Sequence, residues 1–255
     1  MPQSHPLADE RPAQDVQAYF ERAASSFDRL YSENGHSPFM RWVNRHFRSD
    51  IADRYLTTIN HVAQVHAGSV LDVGCGSGRY LAAFARLGVH RLVGIDLSQP
   101  MLDLARRQMT ILRHGATDLI CGDFQPHHFD EQFDVVVAMG FFDYQADPAA
   151  VLAKMRGLAR QSVIASFPSR HWFRTPLRQL RYRLKNCPVH FFDYERIAVL
   201  AAQAGFTDVE IAKLPGAGMD FVSILRVGDQ VRSVRASGRP TISQEALAAS
   251  LSSDL

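Results

Sequence analysis

The sequence predicts a three-layer α/β sandwich, an open parallel sheet with helices on both faces, and three observations predict it. An apolar run, Val70 to Val73, leads straight into a turn with glycines at 74, 76 and 78. Short apolar runs then alternate with stretches of helical period, which is the order of a parallel sheet with crossover helices. Phe133 to Met139 is almost wholly apolar, as expected of a strand buried on both faces.

The elements follow in order. After the strand at 70–73, a helix is expected over roughly Tyr80 to Arg86, and a second strand in the run Arg91 to Ser98, ending on the acid Asp96. Ser98 reads as the N-cap of the next helix, with Pro100 in its first turn. A third strand, Asp118 to Cys121, precedes the fourth at 133–139. Val151, Leu152, Met155 and Leu158 recur at helical spacing within Pro148 to Leu158, and Ser162 to Phe167 gives the fifth strand. A helix over Glu195 to Ala204 closes on Gly205, and strands near Asp208–Leu214 and Phe221–Val227 bring the total to seven.

Length and composition agree with one enzyme-sized domain. A chain of 255 residues falls within the range that a single α/β domain occupies. A formal charge of +2 does not by itself argue for a nucleic-acid partner, which needs clustered basic residues. The three cysteines, Cys75, Cys121 and Cys187, are odd in number and widely spaced, so neither a disulfide framework nor a CxxC metal site is indicated and no metal is expected. A reducing compartment is the simplest reading. Residues 1–14 lack an apolar core and no run of about 18 apolar residues occurs, so the expectation is a cytoplasmic protein.

The glycine-rich turn is where the chemistry starts. Glycine lets the backbone turn sharply after a strand and lets a ligand approach main-chain N–H groups, and the following helix points its positive end at that ligand. A dinucleotide fingerprint needs a third glycine three residues after the second, but that position is Arg79. The run is instead Asp72-x-Gly74-x-Gly76-x-Gly78. It resembles the first motif of the class I S-adenosylmethionine-dependent methyltransferases, whose loop wraps the methionine part of the cofactor. A tight turn without ligand is the alternative.

The next strands strengthen the nucleoside reading. The second strand ends on Asp96, 18 residues after Gly78 and close to the ~20 expected of a ribose-binding carboxylate, which can accept two hydrogen bonds from a vicinal diol. The third leads into Gly122-Asp123-Phe124. By the resemblance, Asp123 accepts from the adenine amino group, Phe124 flanks the ring, Met139 ends the fourth strand beside the cofactor, and Asp72 supports the loop. A turn or cap aspartate is the other reading of Asp123. The resemblance covers residues 66–145. It implies a Rossmann-like class I methyltransferase fold of seven strands, mostly parallel with the last antiparallel, and S-adenosylmethionine as cofactor.

Both ends lie outside this core. Asp15 to Tyr31 and the stripe Phe39, Val43, Phe47, Ile51, Tyr55 and Ile59 have helical period, giving an N-terminal helical cap over 1–62. The pattern at 19–28 resembles the opening segment of small-molecule methyltransferases that close over their ligands. Its aromatics read equally as core-facing. The core is assigned to 63–228, and 229–255, rich in Ser, Ala, Gly and Arg, reads as a disordered tail.

The acceptor side rests on two segments. Gly140-Phe141-Phe142-Asp143-Tyr144 follows the fourth strand, where the resemblance puts the transferred methyl group. Methyltransferases acting on base amines of nucleic acids carry a Pro-Pro pair there and this chain does not, which argues against a DNA or base-amine substrate. Asp143 or Tyr144 could orient or deprotonate an acceptor, and Asp143 could equally cap the helix near Pro148. The second segment, 168–193, is long enough to be a lid. Arg170, Arg174, Arg178, Arg181, Arg183 and Lys185 carry six positive charges there, beside an apolar stripe at helical spacing. Three readings stay open: a grip on an acidic small molecule, a peripheral membrane contact through 170–185, or a cap helix with a solvated face. His171 and His190 in this segment, and His36 near the cap, are candidate general bases.

The expectation is therefore a methyltransferase that moves a methyl group from S-adenosylmethionine to a small-molecule acceptor, at oxygen or nitrogen rather than carbon, the acceptor being an acidic or lipophilic metabolite. The alternatives are an RNA methyltransferase, favoured by the basic lid and disfavoured by the lack of an added RNA-binding domain, or a scaffold that binds S-adenosylmethionine or NAD without turnover. The sequence does not indicate an oligomeric state.

Overall fold

The computed structural model describes residues 52–145, 147–169, 190–214 and 220–228, and the backbone of 233–237. A helix, α1, occupies 52–64. It is followed by β1 (Ser69–Val73), α2 (Arg79–Arg86), β2 (Arg91–Asp96), α3 (Gln99–Ile111), β3 (Thr117–Cys121) and β4 (Phe133–Ala138). A 3-10 turn (Phe142–Tyr144), α4 (Pro148–Leu158), β5 (Ala159–Phe167), α5 (Tyr194–Gln203), β6 (Asp208–Lys213), β7 (Phe221–Arg226) and β8 (Ser233–Ser237) complete the chain.

The strands form one sheet in the order β3-β2-β1-β4-β5-β7-β6-β8. β1 to β5 pair in parallel, β7 runs antiparallel between β5 and β6, and β8 lies parallel to β6. This is the mostly parallel sheet expected, with one strand more. Ser233–Ser237 falls in the stretch read as a tail, and that reading is corrected for these five residues. A short alternating Ser-Val-Arg-Ala-Ser run carries little apolar signal of its own, and the unpaired edge of β6 supplies the ladder that the composition does not announce.

Side chains alternate across the sheet and define its two outer layers. Val70, Val135, Val137 and Ile164 pack against Ile59 and Val62 of α1, Leu81 and Phe84 of α2, and Leu102 and Met109 of α3. Leu71, Val73, Val136, Val163 and Ala165 face the other way, onto Val151, Leu152 and Met155 of α4 and Ile197, Leu200 and Ala201 of α5. Helix α1 thus crosses the expected boundary at residue 62 and belongs to the sheet's packing. The rest of the expected cap, 1–51, lies outside the described residues.

Helix starts follow local chemistry with two differences from expectation. Asp147, not Asp143, caps α4, its side chain accepting from the Ala150 N–H ahead of Pro148. Ser98 occupies the N-cap of α3 with extended backbone angles, but its hydroxyl makes no capping bond. Asp193 caps α5 by accepting from Arg196 N–H.

Candidate active site

Strand order reverses around β1, whose neighbours are β2 and β4, so the loops at the carboxyl ends of these strands open a crevice where α/β sheets place ligands. The glycine turn leaves β1 into this crevice with positive φ at Gly74, Gly76 and Gly78. Its floor is fixed from β2: the N–H groups of Gly74 and Cys75 donate to the Ile95 carbonyl at 2.8 and 3.1 Å. A Cβ at Gly74 would lie 2.8 Å from the Phe141 ring, and one at Gly78 2.8 Å from Ala105 Cβ. At Gly76 a Cβ would meet nothing within 4 Å, so this is the glycine that borders open space.

Two carboxylates stand behind the turn. Asp96 accepts from Gly76 N–H through Oδ2 at 2.8 Å and from Ser98 N–H through Oδ1 at 2.9 Å. Burial raises its pKa, and the Ser98 and Gly76 N–H bonds oppose that rise. Asp72 is 1 % exposed, and its Oδ2 has no hydrogen-bond partner among the described residues. Burial, and then the nearby Asp96 charge, push its pKa up to about 8. A buried carboxyl oxygen without a donor, beside a cradle of positive-φ glycines, suits a cationic, hydrogen-bonding ligand such as an amino acid head group.

The third strand leads into a loop where Asp123 Oδ1 accepts from Gln125 N–H at 3.0 Å, so this aspartate does close a turn as its alternative reading held. Its other oxygen takes no part in that bond. The Phe124 ring is 2 % exposed, with its centroid 6.3 Å from Phe141 in an edge-to-face contact. It packs in the core under the loop. Met139 is half-buried, its sulfur 3.7 Å from Thr58 Oγ1 of α1.

Beyond β4, Gly140 N–H donates to Ser166 Oγ on β5 at 2.8 Å, and Arg54 of α1 reaches the same hydroxyl at 3.4 Å. Helix α1 therefore overhangs the carboxyl ends of β4 and β5. Asp143 is 7 % exposed and its carbonyl accepts from the His190 N–H at 2.9 Å, which brings the loop after β4 against the chain entering α5. Tyr144 is half-buried in the same 3-10 turn. Burial, with Arg196 second, holds the His190 imidazole below its usual pKa. His171, the Arg-rich segment 170–185 and His36 lie outside the described residues.

Sequence reasoning missed several residues that shape the crevice. Gly94, opposite Asp72 in the β1–β2 register, has no room for a side chain, since a Cβ would lie 2.8 Å from both Cys75 Sγ and Leu81 Cδ1. A glycine inside an apolar strand was the available signal. Ser166 reads as an ordinary strand residue, and only the fold gives it its neighbours Gly140 and Arg54.

The comparisons with known proteins agree with this geometry. Residues 70–162 match the sequence profile of a methyltransferase domain, a span that contains the glycine turn, Asp96, Asp123 and Asp143. Residues 70–162 are a methyltransferase domain, and the fold is that of the class I S-adenosylmethionine-dependent methyltransferases. This methyltransferase is 28% identical to a ubiquinone biosynthesis O-methyltransferase of Hahella chejuensis over 195 residues, 69% of this chain and 77% of that one. It is 34% identical to a cypemycin N-terminal methyltransferase of a Streptomyces species over 93 residues, 36% of each chain. Its fold is shared by the magnesium protoporphyrin IX methyltransferase of Synechocystis PCC 6803, solved with bound S-adenosylhomocysteine (TM-score 0.66, 16% identity, 84% of this chain and 100% of that one). Among the described residues no helix is long and apolar enough to cross a membrane.

Proposed function

We propose that the methyltransferase transfers the methyl group to an oxygen of a small-molecule acceptor with an apolar body, and that the crevice at β1, β2 and β4 holds the cofactor. The observation that carries this is the pairing of the open glycine turn with the Asp96 carboxylate and the Asp72 carboxyl, whose Oδ2 has no partner among the described residues. Two relatives support an acceptor of this class: one acts in ubiquinone biosynthesis at oxygen, the other on magnesium protoporphyrin IX.

S-adenosylmethionine supplies an activated methyl group on a sulfonium. The protein's part is mainly positional, and alignment of reacting groups can supply roughly 7–11 kcal/mol. Asp72 receives the amino group of the methionine moiety, Asp96 the ribose hydroxyls, and Asp123 the adenine amino group. The turn at Gly74, Gly76 and Gly78 presents backbone to the ligand without a Cβ in the way. Helix α1 with Met139 and Gly140 walls the acceptor side. His190, neutral near pH 7 because burial lowers its pKa, takes the proton of an acceptor hydroxyl at a ring nitrogen. Asp143 and Tyr144 orient the acceptor, and His171 is the second base candidate.

Calorimetric titration of the wild type and of Asp96→Ala with S-adenosylhomocysteine and with NAD tests the cofactor half. Micromolar S-adenosylhomocysteine binding that the variant loses is the expected result, whereas no binding, or a preference for NAD, sinks the reading. A panel of phenols and carboxylic acids, scored for S-adenosylhomocysteine release, tests the acceptor half.

A further inference from the structure

The loop between β3 and β4 spans 122–132 and contains neither helix nor strand, yet it carries Asp123. Its fixed point is on another element. Lys154 projects from α4, a helix whose Val151, Leu152 and Met155 are fully buried against the sheet. Its Nζ donates to the carbonyls of Phe124 at 2.7 Å, Gln125 at 2.8 Å and His127 at 2.5 Å. An ammonium has three N–H donors, and all three are used on one loop. The same nitrogen stands 4.8 Å from the Phe124 ring centroid and 5.8 Å from that of Phe129, so two aromatic faces complete the cage.

We propose that Lys154 is a positioning residue for recognition of the adenine base: by gathering three loop carbonyls onto a rigid helix it fixes the turn that aims Asp123 at the exocyclic amine. This rests on the cofactor placement proposed above. The cage reaches Asp123 through its chain neighbours Phe124 and Gln125, and Gln125 both donates its N–H to Asp123 Oδ1 and gives its carbonyl to Lys154. Without the ammonium, three carbonyls would turn to water and the stretch 124–127 would lose its hydrogen bonds to α4, leaving the loop held to that helix at its far end, where Gln132 Nε2 donates to the Gly157 carbonyl at 2.8 Å. An arginine keeps the charge, but its planar fork does not bring three donors to one point.

The test compares S-adenosylhomocysteine with S-inosylhomocysteine, which carries an oxo group where adenine carries its amine, by calorimetry on the full-length wild type, Lys154→Met and Lys154→Arg. The wild type is expected to prefer the adenosyl ligand about tenfold or more, the size of one hydrogen bond to a carboxylate. Both variants are expected to lose about tenfold in affinity for the adenosyl ligand and less than twofold for the inosyl ligand, so the preference collapses. Lys154→Arg, which retains the cation between the two rings, keeps the experiment decisive if Lys154→Met does not fold. Equal losses for both ligands would reduce Lys154 to general support of the fold and overturn the proposal, as would a preference that survives in Lys154→Arg. A wild type that binds neither ligand would bring down the cofactor placement and this proposal together. One that binds both alike would leave the placement standing and remove only the role of Asp123 and Lys154.

Discussion

The N–H of Gly76 donates to Asp96 Oδ2 at 2.8 Å, joining the loop after β1 to the end of β2. The carboxylate proposed to hold the ribose is thus also the group that shapes the glycine turn. On that proposal ribose and turn share one side chain, and a change at Asp96 acts on both.

Gly76 and Gly78 separate binding from folding. Both have positive φ, of 51° and 79°. A Cβ at 76 points into open space, while one at 78 would lie 2.8 Å from Ala105 Cβ and 3.0 Å from its Cα. Gly76→Ala is expected to fold with a penalty of about 1 kcal/mol for the left-handed backbone and to lose S-adenosylhomocysteine affinity at least tenfold. Gly78→Ala is expected to lose about 2–4 kcal/mol of stability from strain and overpacking together. Urea unfolding beside calorimetry checks both; equal stability losses in the two variants would refute the distinction.

Asp72 predicts a proton release on ligand binding. With its pKa raised to about 8, the carboxyl is mostly protonated at pH 7 in the free protein. Arrival of an ammonium favours the charged form, lowers the pKa and expels the proton. Calorimetry at pH 7 in phosphate and in Tris, whose ionisation enthalpies differ, should report close to one proton released per S-adenosylhomocysteine, and none for Asp72→Asn. In the free protein the native state binds more protons than the unfolded chain between pH 3.8 and about 8, so the contribution of Asp72 to stability falls as pH rises through that window.

His61 predicts the opposite slope. It is 5 % exposed on α1, its Nε2 lies 2.8 Å from Ser162 Oγ on β5, and burial, then Arg226, lower its pKa to about 4 against an opposing pull from Glu210. It lines a cleft of about 410 Å³ at the amino end of β5, the end of the sheet remote from the glycine turn. Between pH 6.5 and about 4 the unfolded chain binds the proton and the native state does not, so stability is lost as pH falls through this range, by up to about 3 kcal/mol. Urea midpoints at pH 7.5 and pH 5 should differ more in the wild type than in His61→Gln. Parallel pH dependence in the two proteins would show that His61 is not the group responsible.

Much of the fold was legible because its signals are local. The apolar runs at 70–73 and 133–139, Pro148 at the start of α4 and Gly205 after α5 each carry their meaning within a few residues. Asp72, Asp96 and Asp123 stood out for the same reason, each lying at or within two residues of the carboxyl end of a strand. What was missed needs a partner distant in sequence. Lys154 finds its carbonyls about 30 positions back, Gly94 matters because of Cys75 and Leu81, and the reading of Phe124 as a wall for adenine met the packing of Phe129 and Phe141, which composition does not show. The strand Ser233–Ser237 exists through the edge it pairs with.

That strand has a practical consequence for anyone who trims the chain. Its pairing with Asp208 to Ala212 covers a row of main-chain donors and acceptors that would otherwise recruit a strand from another molecule. Shortening the protein to residue 228 would spare every described group of the crevice and still expose that row, so the expected symptom is self-association during expression, visible by light scattering, with methyl transfer intact in whatever does not aggregate.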